Sequence, residues 1–460
     1  MEKKSFPIKI GLEIHGYLNT KEKLFCKCKV SEEEKPNAFI CPICTGQPGS
    51  KPMAPNEEAV NKIIQIALIL DSKVNEKWIW QRKHYNWADL PKGYQNTISG
   101  PHSTPCAIGG KFAGINITEA HLEEDPAQWN PQTGKINYNR SGLPLVEIVT
   151  EPEFSSSEQV TSWLKSLILF LSYIKAIRKN AGIKVDVNVS TYGDRVEMKN
   201  LNSLEKIGKA IEYEIAKQIE NHNKGIEQKR ETLAFDEKLG KTIKMREKEG
   251  AQDYRFIPDP DLPSVKIDEG RINNIKKNLP EMPDKKLKKL ISELKIPEKD
   301  AKILIKNLEL VEFVEELEKE KINVKENLSW ITIELLRILN YNKKTLEDED
   351  VEINPKHLAE LIKLVNSKKI TVLKAKQIMN DFIPKSFSIK EKGDVDKINN
   401  EAIENICKQV IEENKHVVEE YQSGKGVSLN FLIGQVMKLS QRRADFKIAK
   451  EKLVKLIKGQ

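Results

Sequence analysis

The sequence lacks any apolar run long enough to cross a membrane. Its 460 residues are 39% hydrophobic and 31% charged, and the longest apolar stretches, such as residues 167–174, fall well short of the roughly 20 residues that a spanning helix needs. The amino terminus is charged and has no apolar run of signal-peptide length. We therefore expect a soluble, cytoplasmic protein.

The sequence also lacks a phosphate-binding loop of the Walker A kind. Residues 240–242 (Gly-Lys-Thr) resemble the end of that motif, but the glycine that it requires upstream is replaced by Phe235. Residues 424–426 (Gly-Lys-Gly) have neither a preceding strand pattern nor a glycine-rich lead. If the protein uses ATP, metal ions and carboxylates must hold the nucleotide.

Cysteine is scarce, and four of the six cysteines are clustered. They form the pattern Cys26-x-Cys28 followed by Cys41-Pro-Ile-Cys44, and two such close pairs can present four thiolates tetrahedrally to one Zn²⁺. Disulfides are rare in a reducing cytoplasm. We interpret the cluster as a closed, structural zinc site, and the alternative is four unligated thiols.

The hydrophobic pattern of residues 8–153 is that of strands. Short alternating segments such as IKIGLEIH, GKFAGINITEAHL and LPLVEIVTEP, broken by Gly and Pro, predict a mostly antiparallel sheet. Residues 155–179 repeat apolar positions at intervals of three and four, which predicts a buried amphipathic helix. KVDVNVST and RVEMKN predict a hairpin, followed by a helix through Asn221 with a capping box formed by Asn202 and Glu205.

The pattern then changes from mixed to helical. Three prolines in FIPDPDLP, residues 256–263, exclude regular structure there, and from Asn278 onward the sequence is rich in Lys, Glu and Leu with helical periodicity. We predict an α+β fold, with a first domain over residues 1–280, a helical linking region over 281–350 and an all-α tail domain over 351–460.

Carboxylates interrupt apolar strands at two places. In IGLEIHG, alternation puts Glu13 and His15 on the face opposite to the aliphatic residues, and Glu147 interrupts the apolar run LPLVEIV. In EAHLEED, three carboxylates and a histidine crowd within the last five residues, 121–125. Oxygen ligands on separate strands suit Mg²⁺ that also holds nucleotide phosphates. The alternative is ordinary pairing of these acids with Lys and Arg at a sheet edge.

Bases and aromatics are mixed in RKHYNWADLPKGYQ, residues 82–95, with turn chemistry at residues 91–93. Such a loop can contact phosphate or stack on a base, and Lys83 and Tyr85 are its cofactor-binding candidates. An ordinary loop anchored by aromatic side chains fits equally well. The net charge of +8 is compatible with a polyanionic partner, although a solvated Lys-rich surface has the same charge.

These motifs together carry a family resemblance. The motifs that carry it are IGLEIHGYLNTKEKLFCKC, CPICTGQPGSKP, RKHYNWADLPKGYQ, HLEED, NRSGLPLVEIVTEPE, DVNVS, RVEMKNLNS, REKEGAQDYRFIPDPDLP and GKGVSLNFLIGQVMK. They resemble motifs of the B subunit of the aspartyl/glutamyl-tRNA amidotransferases (the GatB family), and they occur in the same order over nearly the whole chain. The resemblance implies a cradle domain related in fold to glutamine synthetase, then a helical region and a small YqeY-like tail domain that binds the outer corner of tRNA.

The resemblance also implies an activity, that of a carbon–nitrogen ligase with glutamine as nitrogen donor. ATP converts the side-chain carboxylate of Asp-tRNA(Asn) or Glu-tRNA(Gln) into an acyl phosphate, and ammonia then displaces phosphate. An amidase, the A subunit of the complex, makes the ammonia from glutamine, and the heterotrimer is completed by a small C subunit. The implied cofactors are ATP, Mg²⁺ and a structural Zn²⁺.

Site residues follow from the resemblance motif by motif. The implied catalytic carboxylates are Glu13, Glu124 and Glu147, and the implied magnesium ligands are His15, Glu124 and Glu147. Nucleotide binding is expected to involve the same residues together with Glu123, Lys83 and Tyr85. Strand alternation places Glu123 and Glu124 on opposite faces unless the strand has ended, so the sequence leaves open which of them faces the site.

The sequence departs from the family pattern at two places, and three other interpretations compete with the resemblance. Residues 126–128 are Pro-Ala-Gln where many relatives have Ala-Gly-Lys, and Val185 precedes Asp186 where many relatives have Cys or Ser. The rivals are the archaeal E subunit, which has an additional inserted domain, a non-catalytic tRNA-binding scaffold, and a free-standing ligase that would not need the tail. The sequence does not decide between Asp-tRNA and Glu-tRNA.

Overall fold

The computed structural model describes residues 7–30, 35–178, 181–245, 254–389 and 396–458. The chain forms two compact units, residues 1–282 and 283–460. Both the charged amino terminus (residues 1–6) and residues 246–253 of the REKEGAQDYRFIPDPDLP motif lie outside the described residues. In the described part of the chain, no helix combines the length and apolar character needed to cross a membrane.

The first unit is built on one large, mostly antiparallel sheet and two small two-stranded sheets, which confirms the mixed α+β class. The strands of the unit are β1 Lys9–Tyr17, β2 Lys73–Val74, β3 Lys77–Trp78, β4 Gln81–His84, β5 Tyr94–Thr97, β6 Ala107–Ile108, β7 Lys111–Phe112, β8 Ile115–Glu124, β9 Gln128–Trp129, β10 Ile136–Asn137, β11 Pro144–Thr150, β12 Ile183–Ser190, β13 Val196–Leu201, β14 Glu231–Asp236, β15 Lys241–Lys244, β16 Arg255–Pro258 and β17 Val265–Lys266. The central path of the large sheet runs β15-β14-β13-β12-β1-β11-β8-β5-β4-β16, in which β13 and β14 pair in parallel, and the small sheets are β9 with β10 and β3 with β17.

The helices of the first unit cover one face of this sheet. They are α1 Glu57–Ile69, α2 Ser157–Tyr173, α3 Leu204–Asn223 and α4 Glu269–Lys277. Apolar residues of α1, α2 and α3 share one core with the aliphatic residues of β1, whose burial alternates as the sequence predicts. Covering one face with helices leaves the opposite face of the central strands free for polar side chains.

The predicted cap of α3 is wrong by one residue. The side chain of Ser203, not Asn202, accepts a hydrogen bond from the backbone N–H of Lys206, and Ser203 has the extended backbone of an N-cap. Asn202 instead accepts from the Lys206 ammonium group. Serine and asparagine are similarly good caps, so the residue type could not decide between the two positions.

The proline-rich segment also differs from its prediction. Residues 255–258 form β16, which pairs antiparallel with β4 and lies at one end of the sheet path. Proline is tolerated in an edge strand because the strand needs ladder hydrogen bonds on one side only. The irregular conformation predicted for the whole of residues 256–263 begins only after Pro258.

The described elements of the second unit are helical, apart from an isolated bridge between Glu352 and Lys385. One group of apolar side chains from its last four helices, centred on Ile403, Leu432 and Leu453, forms a core. The helices are α5 Pro283–Ser292, α6 Glu298–Leu304, α7 Leu308–Lys319, a π-helical turn Trp330–Leu335, α8 Leu336–Tyr341, α9 Pro355–Asn366, α10 Val372–Asn380, α11 Asn400–Glu413, α12 Lys415–Gln422, α13 Val427–Leu439 and α14 Phe446–Lys458.

Candidate active site and metal centres

A row of three polar side chains crosses the centre of the sheet. His15 on β1 lies opposite Glu147 on β11, and Glu147 lies opposite His121 on β8. Side chains directly opposite one another on neighbouring strands are in contact range. One carboxylate oxygen of Glu147 accordingly lies 3.3 Å from Nε2 of His15 and 3.1 Å from Nε2 of His121. The sheet register therefore places one carboxylate between two imidazoles.

Glu123 joins this row from the same face of β8. Its carboxylate accepts hydrogen bonds from the Thr97 hydroxyl at 2.9 Å and the Gln95 amide at 3.3 Å. Ligand atoms of His15, Glu123 and Glu147 all lie within 4.8 Å of one another. Two carboxylates and an imidazole that converge from three strands fit a divalent cation with oxygen and nitrogen ligands.

Glu124 lies on the other face of β8 from Glu123, as strand alternation requires. Its carboxylate pairs with the Lys92 ammonium group at 2.5 Å, and Lys92 also donates to the side-chain oxygen of Asn96 at 2.6 Å. The structure thus brings Glu123 to His15 and Glu147, where the sequence-based set had Glu124. The reason is that β8 continues through Glu124, so the two neighbours point in opposite directions.

Burial and mutual charge set the protonation of this row. Burial lowers the pKa of His15, but the hydrogen bond and negative charge of Glu147, with Glu123 and Asp186, raise it overall to about 9. Burial acts to raise the pKa of Glu147, yet the two histidines hold it well below its usual range. The site therefore favours ionised carboxylates accompanied by positive charge.

A second acidic group lies beside the first. Ligand atoms of Glu13, Asp186 and Glu197 lie within 4.8 Å of one another. The Lys199 ammonium group pairs with both Asp186, at 2.7 Å, and Glu197, and Asn188 donates to Glu13 at 3.1 Å. Burial, then the charge of Glu147, raises the pKa of Glu13. The structure therefore places Glu13 next to the His15 cluster but in a group that already contains a lysine.

A cavity of about 350 Å³ opens onto this face of the sheet. Asp125 lies in its wall, where it accepts a hydrogen bond from the Tyr17 hydroxyl at 2.8 Å and pairs with Arg140 at 3.0 Å. Burial raises the pKa of Asp125 to about 6 although Arg140 acts in the opposite direction. The wall also contains cationic side chains suited to an anionic ligand: Lys83, Arg140, Lys184 and Lys199.

Both loop candidates from the sequence, Lys83 and Tyr85, line this cavity. The Lys83 ammonium group lies 4.9 Å from the centre of the Tyr254 ring, and the Tyr85 ring meets Tyr254 edge to face. The segment after them turns at Gly93, whose N–H donates to the carbonyl of Leu90, as predicted. This segment therefore supplies one aromatic and basic wall of the cavity.

The four clustered cysteines converge as their spacing predicts. Their sulfur atoms all lie within 4.8 Å of one another, and Sγ of Cys44 is 4.0 Å from Sγ of Cys28. Zn–S bonds of about 2.3 Å in a tetrahedron imply sulfur separations of about 3.8 Å. A hydrogen bond from Cys26 lowers the pKa of Cys44 to about 5, with a further contribution from Lys23. The four thiols thus fit a closed zinc site.

The cysteine cluster is packed against elements that reach the candidate active site. The Ser141 hydroxyl donates to the carbonyl of Cys44 at 2.7 Å, next to Arg140 in the cavity wall. Gly46 has φ +64°, and a Cβ there would lie 2.4 Å from the carbonyl oxygen of Pro91. Only glycine fits this contact. The cysteine-bearing segment therefore packs against the turn that presents Lys92.

Several residues of the site were not singled out from the sequence. Four side chains of the cavity wall come from four different segments, and only the pairing of strands and loops brings them together. They are Lys199, Lys184, Arg140 and Tyr254. Asp186 and Asn188 carry a weak signal, since alternation in KVDVNVS predicts that they share a face. At the family departures, Pro126 lines the cavity whereas Gln128 is exposed on β9.

Comparisons with known proteins cover both units. The family model described as the GatB/GatE catalytic domain matches residues 8–273, and that of the GatB domain matches residues 312–457. A protein of Methanocaldococcus jannaschii, named as the B subunit of aspartyl/glutamyl-tRNA(Asn/Gln) amidotransferase, is 41% identical over 97% of this chain and 98% of its own length. Proteins of the same name from Methanothermobacter thermautotrophicus and Methanosphaera stadtmanae are 40% and 41% identical, over 98% and 97% of this chain and 99% of each relative. This chain belongs to the GatB/GatE family.

Proposed function

We propose that the protein is the tRNA-dependent subunit of an amidotransferase that amidates Asp-tRNA(Asn), Glu-tRNA(Gln) or both in an ATP-dependent reaction. The names of its near-full-length relatives support this reaction. The observation that carries the proposal is the row His15–Glu147–His121 with Glu123, beside a cavity with basic walls. A non-catalytic scaffold would gain nothing from burying such charges, which are costly to remove from water.

The chemistry requires activation of an unreactive carboxylate. A side-chain carboxylate oxygen of the aminoacyl-tRNA takes the γ-phosphoryl group of ATP, which forms an acyl phosphate and releases ADP. Ammonia then attacks the carbonyl carbon, the C–O bond to phosphate breaks, inorganic phosphate leaves, and the nitrogen loses a proton to give the amide. Each step needs positioned charge more than a protein nucleophile.

The described residues suit these two steps. When bound, Mg²⁺ would neutralise and orient the nucleotide phosphates, and His15, Glu123 and Glu147 would hold it. Lys83 and Arg140 in the cavity wall would bind the transferring phosphoryl group or the substrate carboxylate. We assign Glu13 to a supporting role, because it accepts a hydrogen bond from Asn188 and lies in the second acidic group, which already contains Lys199.

The finer assignments are also proposals. We propose that the first unit is a cradle related to glutamine synthetase, that residues 281–350 link it to an all-α, tRNA-binding tail over residues 351–460, and that Zn²⁺ occupies the four cysteines. An amidase, the A subunit of the complex, would supply ammonia, and a small C subunit would complete the heterotrimer. The helical second unit and its lysine-rich composition support a role in contacting tRNA phosphates.

The test is amidation by the purified chain together with the amidase and the small third protein of the complex. Asp-tRNA and Glu-tRNA labelled in the amino acid are incubated with ATP and either glutamine or ammonium, for the parent protein, Glu147→Gln and Glu151→Gln. Glu151 lies just beyond β11, where it accepts a hydrogen bond from Thr118 at 2.7 Å, and serves as the matched control. We expect ATP-dependent amide with both nitrogen donors, lost in Glu147→Gln and kept in Glu151→Gln. No amide and no ATP consumption with either tRNA would favour the scaffold.

A further inference from the structure

His121 is the most enclosed member of the candidate active site. Its side chain is 1% exposed, it does not line the described cavity, and it therefore has no direct path to a nucleotide or a tRNA. Yet its ring lies among three carboxylates. A buried polar side chain in such surroundings is normally there to satisfy or orient its neighbours.

The contacts of His121 use both ring nitrogens. Nε2 lies 3.1 Å from an oxygen of Glu147 and 3.7 Å from an oxygen of Glu123. Nδ1 lies 3.1 Å from an oxygen of Glu119 without forming a hydrogen bond to it, and that oxygen accepts a 2.7 Å hydrogen bond from the Ser99 hydroxyl. The ring therefore has the Glu119 carboxylate on one side and the two carboxylates of the site on the other.

Fixing these carboxylates matters because a glutamate side chain has several rotamers and a metal site requires one. Glu147 contacts two imidazoles through a single oxygen, Oε2, and fixing that oxygen also fixes the direction of the second. Groups that orient metal ligands in this way typically change metal affinity by about 10–100-fold when they are removed.

We infer that His121 is a positioning residue that sets Glu147 and Glu123 for a divalent cation, with the Glu119 carboxylate beside its other ring nitrogen. The inference rests on the proposed function, since it takes His15, Glu123 and Glu147 as the cation site. In this arrangement His121 lies between the cation ligands and the hydrogen-bonded pair of Ser99 and Glu119.

The test measures cation binding directly and needs neither tRNA nor ATP. Mn²⁺ binding to the purified full-length chain is followed by electron paramagnetic resonance for the parent, His121→Leu, His121→Gln and Leu122→Ala. Leu122 is the fully buried neighbour on the opposite face of β8, so Leu122→Ala is the matched control for lost core packing. Unfolding in urea reports the stability of each variant.

We expect His121→Leu to weaken Mn²⁺ binding about 10–100-fold, and His121→Gln, which keeps an N–H donor, to lose less. Leu122→Ala should lower stability without changing Mn²⁺ affinity. In the amidation assay, raised Mg²⁺ should restore part of the His121→Gln rate, because the defect lies in cation binding.

Three results would overturn the inference. If His121→Leu and His121→Gln bind Mn²⁺ as the parent does, His121 does not position the ligands, and the proposed function stands. If Leu122→Ala loses Mn²⁺ in proportion to its stability, the effect is general to the fold. If the parent itself binds no Mn²⁺, the cation site in the proposed function fails and the inference fails with it.

Discussion

Substituting Glu123 or Glu124 in turn tests which face of β8 carries the candidate cation site. Glu123 and Glu124 are neighbours, yet Glu123 belongs to the His15–Glu147 cluster and Glu124 pairs with Lys92. Replacing each by glutamine removes one negative charge and almost no volume. We expect Glu123→Gln to impair catalysis and Glu124→Gln to impair stability.

The magnitudes follow from the contacts that each change removes. Glu123→Gln keeps a group that Thr97 can donate to but loses a charged ligand, and we expect activity to fall at least about 100-fold, equivalent to about 2.7 kcal/mol in the barrier. Glu124→Gln leaves Lys92, whose side chain is 10% exposed, with neutral acceptors in place of its ion pair: Asn96 and the new amide oxygen. We expect a loss of about 1–3 kcal/mol in the free energy of unfolding.

The assay records amide formation against Mg²⁺ concentration, together with urea unfolding of each variant. Glu123→Gln should shift the Mg²⁺ dependence to higher concentration at near-parental stability, whereas Glu124→Gln should keep the parental Mg²⁺ dependence. The opposite pattern, in which Glu124→Gln alone changes the Mg²⁺ dependence, would refute the assignment of faces to β8 and the cation site built on it.

Three further predictions concern the structure around the site. Cys44→Ser should release zinc, measured by metal analysis of the purified chain, while Cys106→Ser, at a buried cysteine outside the cluster, should retain it; equal zinc in both would exclude a four-cysteine site. Ser203→Ala should cost about 1 kcal/mol of stability in urea unfolding and Asn202→Ala less than about 0.5 kcal/mol, and the reverse order would restore the sequence-based cap. Gly46→Ala should destabilise the chain by about 1–3 kcal/mol, because its φ is +64° and its Cβ would meet Pro91; an unchanged unfolding curve would contradict that contact.

Local chemistry made much of the fold predictable. Alternation in IGLEIHG placed Glu13 and His15 opposite the aliphatic residues, because a strand has a period of two whatever it pairs with. Helix α2 followed from apolar spacing, and at Ser157–Tyr173 it is shorter than the segment 155–179 for which it was predicted. The error at Ser203 arose because serine and asparagine are similarly good caps, and the error at Pro258 arose because an edge strand tolerates proline.

The sequence alone determined which chemical groups the protein has to offer: four cysteines spaced for one metal, carboxylates and imidazoles that break apolar strands, and a basic, aromatic segment at residues 82–95. Tertiary structure alone decided which of them meet. Strand register aligned His15, Glu147 and His121 across β1, β11 and β8, and it turned Glu123 toward them and Glu124 toward Lys92. Register depends on contacts between segments that are separated in the chain, as β1 and β11 are, and no local pattern of residues contains that information.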